Sequence, residues 1–194
     1  MDYSGGQLTD WAGHHIDIAH WGMGTERTGP ISVEGKGRAF PDGIYNVPVE
    51  YDFTCLYENG VKMRVANESK LENGRGTTWH GSHGWIHVSR GGRTGSIKAS
   101  DEAIINEKMG RGDTPLYQST DHWRNFIDCV RSRKETITPV EVGHRSISVG
   151  LLGEIAIITG EKLDWDPNQE VFLNSDAANK LLKRPYRSPW KFPA

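Results

Sequence analysis

Three ionisable side chains fall on one face of a predicted helix near the start of the chain. Residues 5–22 read GGQLTDWAGHHIDIAHWG, with glycines at both ends, and predict about four turns of helix. Asp10, His14 and Asp17 follow one another at i, i+4 and i+7, so they share a helical face. A carboxylate one turn from an imidazole can fix its tautomer and raise its basicity. Asp10 and His14 are therefore a candidate proton-transfer pair, and we expect a hydrogen bond between them.

A structural interpretation competes with this one. Most of the helix circumference is apolar, which predicts a buried helix ending at Gly22. Inside a core, Asp10 would only orient a histidine or cap the start of the helix. On the chemistry of the two residues alone, both interpretations stay open.

Length and charge limit the functional classes. The chain has 194 residues and a net charge of -2, with acids and bases interspersed. This predicts one domain over residues 1–194 and argues against a nucleic-acid-binding surface. The apolar runs are too short to span a membrane and no secretory leader opens the sequence, so we expect a cytoplasmic protein. Cys55 and Cys129 are isolated and are interpreted as reduced core residues.

The middle of the sequence is rich in histidine and tryptophan. His80, His83 and His87 are close together, but no cysteine or paired carboxylate completes a ligand set, so no metal is expected. We interpret all three as turn and surface residues. The seven tryptophans weakly favour a carbohydrate ligand, because indole faces pack against sugar C–H groups, although core and interface packing explains most tryptophans.

Alternating residues predict antiparallel strands after the first helix. Residues 31–39 are strand-like, and residues 49–57 alternate strictly between apolar and polar side chains. Asn59-Gly60 predicts a two-residue hairpin turn to a return strand over residues 61–65. Residues 70–78 are polar and rich in glycine, and they predict a loop or an irregular edge.

Shorter strands and three helices complete the predicted elements. Strands are expected over residues 85–88 and Ser96–Ala99. Helical periodicity begins at Asp121, where the apolar positions are Trp123, Phe126, Ile127 and Val130. A second helix covers residues 142–159 and ends at Gly160, with an apolar stripe made by His144, Ile147, Leu151, Ile155 and Ile158. A third covers residues 176–183, with Ser175 as its N-cap. The order predicts an α+β fold with an open, mainly antiparallel sheet whose one face is covered by helices.

The sequence shows no phosphate-binding fingerprint and no nucleophile elbow. Gly35-Lys36-Gly37 lies in a strand-like segment and lacks the third glycine and the following helix of a dinucleotide site. The residues by themselves indicate an α+β domain with a candidate Asp10/His14 pair.

Several motifs together resemble one family over essentially the whole chain. They are the first helix, the hairpin around YENG, the segment GWIHVSRG and the run NFIDCVRSRKETITPVEVGHRS through LDWDP. Together they resemble the C-terminal domain of the Gfo/Idh/MocA oxidoreductases, in a bacterial branch with a TDWxxHHxD helix. The resemblance implies that Asp10 and His14 are catalytic and that His15 and Asp17 contact the substrate. It also implies NAD or NADP in a full-length relative, and a catalytic lysine between the two domains.

The start of the chain departs from the family pattern. The sequence starts at Met1 with a segment that lies in the middle of the chain in relatives. The Rossmann domain and the catalytic lysine are therefore not expected here, and we expect no cofactor binding by this chain. It would be a fragment, a truncated reading frame or a stand-alone domain. The favoured function is the substrate-binding and oligomerisation half of a sugar or polyol dehydrogenase. The alternatives are a redox-neutral sugar lyase or hydrolase and a non-catalytic carbohydrate-binding or assembly module.

The resemblance also implies an assembly. Family members commonly pack the open sheet face against a second subunit. The first strand of the hairpin brings Glu50, Asp52 and, just beyond its end, Glu58 to this face, and the return strand adds Lys62 and Arg64. Opposite charges on neighbouring strands predict a homo-oligomer through this face.

Overall fold

The computed structural model describes residues 4–39, 44–90 and 96–191. Its helices are α1 (Trp11–Met23), α2 (Glu102–Asn106), α3 (His122–Ser132), α4 (Val140–Thr159) and α5 (Asp176–Leu181). Its strands are β1 (Ser32–Ala39), β2 (Pro48–Leu56), β3 (Lys62–Ala66), β4 (Thr77–Gly81), β5 (Gly84–Ser89), β6 (Ser96–Ala99), β7 (Leu163–Asp166) and β8 (Val171–Phe172). The predicted α+β class with an open antiparallel sheet is confirmed, and the strands divide into two sheets.

The larger sheet holds the core. Its strand order is β3-β2-β1-β7-β8, and every neighbouring pair is antiparallel. The alternation in β2 buries Tyr51, Phe53 and Cys55 on one face. Cys129 is buried as well, and neither cysteine forms a disulfide, as predicted.

The hairpin between β2 and β3 forms, but its turn differs from the prediction. Tyr57 N–H donates to the Val61 carbonyl and Gly60 N–H donates to the Tyr57 carbonyl, both at 2.9 Å. Gly60 has a φ of 83°, whereas Asn59 is not among the described residues with positive φ. The loop connects Leu56 to Lys62 and so is longer than the predicted two-residue turn; of the two predicted turn residues, only Gly60 is left-handed.

Helix α4 covers this sheet through its small residues. Gly150, Gly153 and Ala156 lie on its buried side, and a Cβ at Gly153 would stand 2.4 Å from the Phe53 ring. The predicted stripe was wrong in part, since Leu151 and Ile158 are exposed. Close approach to the sheet and to α1 selects small residues for the contact, and they share the buried side with Val149, Leu152 and Ile155.

Helix α1 packs between α4 and the smaller sheet, whose order is β4-β5-β6. The helix ends at Met23, one residue beyond the predicted end at Gly22, and Gly24 follows as a left-handed C-cap with a φ of 64°. A Cβ at Gly22 would lie 2.6 Å from the Trp79 indole, so this glycine makes room for the sheet.

The smaller sheet refines one prediction and corrects another. Residues 70–78 were expected to be a loop or an irregular edge, and their last two residues belong to the edge strand β4, in which Thr77 pairs with Val88. His87 was expected at a surface or turn, but it is buried and its Nδ1 lies 2.8 Å from the Thr78 hydroxyl. Burial lowers the pKa of His87.

Helix α3 forms where it was predicted, with Asp121 as its N-cap. Its apolar positions Trp123, Phe126, Ile127 and Val130 are nevertheless exposed. None of the helices within the described residues is long and apolar enough to cross a membrane.

Candidate active site

Asp10 and His14 lie at the surface rather than in the core. Their side chains are 69% and 56% exposed, and Asp10 Oδ1 stands 3.9 Å from His14 Nε2. This is an ion-pair distance, so the predicted hydrogen bond is not formed. Asp10 is the N-cap of α1 but makes no capping bond with its side chain. The sequence predicted a buried helix, but only part of α1 is buried: Ala12, Ile16 and Ala19 lie in the core, whereas Asp10 and His14 are exposed.

His15, the next residue, is half-buried, and its surroundings favour the neutral ring. Its Nδ1 donates to the Trp11 carbonyl at 2.9 Å, which leaves the lone pair on Nε2. That Nε2 is buried and has no partner among the described residues. Burial lowers the pKa of His15, and the positive charges of Arg90 and Arg75 lower it further.

Asp17 lies on the inner side of the same helix. Its Oδ1 accepts a hydrogen bond from the Ser146 hydroxyl at 2.7 Å and so connects α1 to α4. Asp10 and His14 therefore come together at the surface, and Asp17 points to the helix interface.

A cationic cluster surrounds the indole of Trp11, and sequence reasoning missed it. The guanidinium carbons of Arg75 and Arg90 lie 4.9 and 5.5 Å from the ring centroid, within cation–π range. The His15 ring stacks on Trp11 at 6.1 Å and the His14 ring meets it edge-on at 6.3 Å. Arg75 precedes β4 and Arg90 follows β5, so the β4–β5 pairing brings both to the start of α1. In this region the sequence indicated only a polar segment over residues 70–78 and a strand over residues 85–88, and no spacing marks Arg75 and Arg90 as neighbours.

A second polar contact lies at the other end of α1. His20 is fully buried, and its Nε2 lies 2.6 Å from the Tyr57 hydroxyl. Burial lowers the pKa of His20 to about 4, against the opposing effect of Asp17 and Glu26. A shallow groove of about 290 Å³ begins beside Tyr57 and is lined in part by Thr25 and Thr28.

The described residues do not fit a metal or a dinucleotide. Within the ranges that the structure describes, no three histidine, cysteine or acidic side chains converge as a ligand set. Every strand pair there is antiparallel, so these residues contain no parallel βαβ unit with a glycine-rich turn to hold a pyrophosphate.

Comparison with known proteins identifies the family. A model described as the oxidoreductase family, C-terminal alpha/beta domain, of the Gfo/Idh/MocA type, matches residues 1–192. The chain belongs to this family, as the sequence motifs predicted. No curated protein sequence matches it significantly.

Solved structures share the fold at low sequence identity. An aldose-aldose oxidoreductase from Caulobacter crescentus complexed with glycerol has a TM-score of 0.55 and 16% identity, over 82% of this chain and 47% of that one. An NAD-binding protein from Listeria innocua has a TM-score of 0.54 and 17% identity, over 82% of this chain and 51% of that one. The chain thus spans about half the length of these structures.

Proposed function

We propose that this domain binds the sugar or polyol substrate of an NAD(P)-dependent oxidoreductase and supplies His14 to move the hydroxyl proton. The observation that carries the proposal is the exposed pair of Asp10 and His14, 3.9 Å apart on α1. Family membership supports an oxidoreductase. The neighbour described as an aldose-aldose oxidoreductase complexed with glycerol supports a polyhydroxy substrate.

The geometry of the pair suggests which ring atom acts. Asp10 is nearest to His14 Nε2, so a proton on Nε2 would face the carboxylate. Nδ1 would then carry the lone pair that takes the proton from the substrate hydroxyl. Asp10 would stabilise the imidazolium so formed, after a rotation of two exposed side chains shortens their separation.

The remaining candidate residues take supporting roles in this proposal. His15 is a substrate contact next to Trp11. Asp17 would contact the substrate only through the oxygen that does not hold Ser146. Nicotinamide binding is assigned to a separate domain, because the described residues form no dinucleotide cradle.

A sugar titration of the chain tests substrate binding at this surface. With glucose or glycerol as probes, we expect the ring signals of His14 to shift in nuclear magnetic resonance spectra. His83 is the matched control, because it lies in the β4–β5 turn, at the opposite end of that hairpin from Arg75 and Arg90. Equal shifts at both histidines, or shifts confined to the groove beside Tyr57, would contradict the proposal.

Cofactor binding gives a separate prediction. The chain alone should not bind NAD⁺ or NADH with micromolar affinity, since the antiparallel strands of its described residues offer no site for the pyrophosphate. Isothermal titration calorimetry measures this directly. Micromolar binding would show that the assignment of the cofactor to a separate domain is wrong.

A further inference from the structure

The charges around Trp11 point to the substrate class, and we propose that this surface binds a monosaccharide that carries an anionic group. The anionic group, a carboxylate or a phosphate, would be held by Arg75 and Arg90 beside His14. The inference rests on the proposed function, because it concerns the ligand of the same surface.

Arg90 is the principal reason for the proposal. Its guanidinium faces the Trp11 ring at 5.5 Å, and no acidic side chain of the described residues forms an ion pair with it. A guanidinium offers five donors in a planar fork that matches a carboxylate or a phosphate. Held over an indole and not paired with any acidic side chain of the described ranges, Arg90 presents its positive charge to a ligand.

Arg75 adds a second, partly compensated charge. Its Nε donates to Glu68 Oε2 at 2.7 Å, so Glu68 satisfies one edge of the guanidinium. Asp10, next to Trp11 in the sequence, lies 3.9 Å from His14 Nε2. Two guanidinium groups therefore meet one indole, and among the described residues only Arg75 of the two has a carboxylate partner.

The state of His15 agrees with this charge distribution. Its Nδ1 proton is used by the Trp11 carbonyl, and burial and the neighbouring arginines lower its pKa. A neutral His15 supplies no further cation, so the two arginines meet the anionic group. The exposed His14 beside them stays available to a hydroxyl of the same sugar.

Glucuronate, glucose 6-phosphate, glucose and inorganic phosphate are the probes for this test, with the intact chain and the His14 and Trp11 ring signals as the readout. We expect glucuronate or glucose 6-phosphate to bind at least about ten-fold more tightly than glucose, as a charge-assisted bidentate contact provides. The two acids distinguish a carboxylate ligand from a phosphate ligand. Inorganic phosphate shows how much of the affinity comes from the anion alone.

Three variants make the test specific. Arg90→Gln should reduce the preference for the acidic sugar to within about three-fold, and Glu68→Gln should increase it by freeing Arg75. Arg131→Gln, an exposed arginine on α3, is the matched control and should leave the preference unchanged.

The outcomes separate this inference from the proposed function. If glucose shifts His14 as strongly as glucuronate does, the inference is wrong and the sugar site at His14 stands. Equal binding of inorganic phosphate and glucose 6-phosphate would reduce the cluster to an anion site without sugar recognition and overturn the inference. If no sugar shifts His14, both are wrong.

Discussion

The buried imidazole of His20 makes the fold sensitive to acid. Its pKa is lowered to about 4 in the folded protein by burial, whereas an unfolded histidine titrates near 6.5. Between these values the unfolded chain binds more protons, so the stabilisation is complete above pH 6.5 and is lost as the pH falls toward 4. The contact with the Tyr57 hydroxyl leaves His20 Nδ1 without a partner among the described residues, which favours the neutral ring.

We predict that His20 causes a loss of stability at acid pH. Between pH 7 and pH 4.5 the free energy of unfolding of the wild type should fall by about 2 kcal/mol because of this residue. His20→Gln should lack this part of the loss, as measured by urea unfolding at both values. Tyr57→Phe keeps the buried imidazole of His20, so this variant should show the same His20-dependent loss of stability as the wild type. Equal pH dependence in the wild type and His20→Gln would contradict the assignment.

The sequence predicts the spatial neighbours of some residues of the candidate site but not of others. Asp10 and His14 are four residues apart, and helical periodicity alone brings them to one face. Arg75 precedes β4 and Arg90 follows β5, so strand pairing brings them to the same end of the hairpin, and their meeting at Trp11 depends on tertiary packing. Local spacing finds pairs within an element and misses groups that two elements bring together.

Among the elements, α3 shows most clearly what periodicity leaves open. Its pattern predicts the helix and its apolar face correctly, but it does not say what covers that face. The same limit applies to α4, where glycine and alanine mark the buried side and two large aliphatic residues are exposed. Small residues carry little hydrophobic signal, although they allow the closest packing.

Truncation of an exposed and a buried aromatic tests this difference. Trp123 on α3 is 81% exposed, so Trp123→Ala should change the free energy of unfolding by no more than about 0.5 kcal/mol. Phe53→Ala removes a ring that packs on Gly153 and should cost about 3–5 kcal/mol. Urea unfolding of the two variants measures both values. A large loss for Trp123→Ala would mean that α3 packs its apolar face within this chain.

At the scale of the whole molecule, the open sheet face bears on assembly. Arg64 binds Asp52 through two hydrogen bonds of 2.9 and 2.8 Å, and Arg38 pairs with Glu50 across β1 and β2. The opposite charges of neighbouring strands therefore pair first within one chain. A second copy would meet a face that is charged but largely neutralised, which favours polar contacts between copies.

We keep the prediction of a homodimer or a higher even oligomer through this face. Sedimentation at micromolar concentration should show it, with some weakening at high salt. Thr54→Arg, in the middle of β2, should dissociate it by placing like charges about a two-fold axis. Glu161→Arg, beyond the end of α4, is the control. A monomer at low salt that does not respond to concentration would refute assembly through the sheet.

The central claim is that His14 transfers the substrate proton, and a turnover number tests it most directly. In a full-length oxidoreductase that contains this domain, His14→Gln should lower kcat by about 10²–10⁴-fold, the range for loss of a general acid–base group. His83→Gln, a surface histidine in the β4–β5 turn, should leave kcat unchanged. A His14→Gln enzyme with kcat near the wild-type value would contradict the claim and leave Asp10 and His14 without a catalytic role.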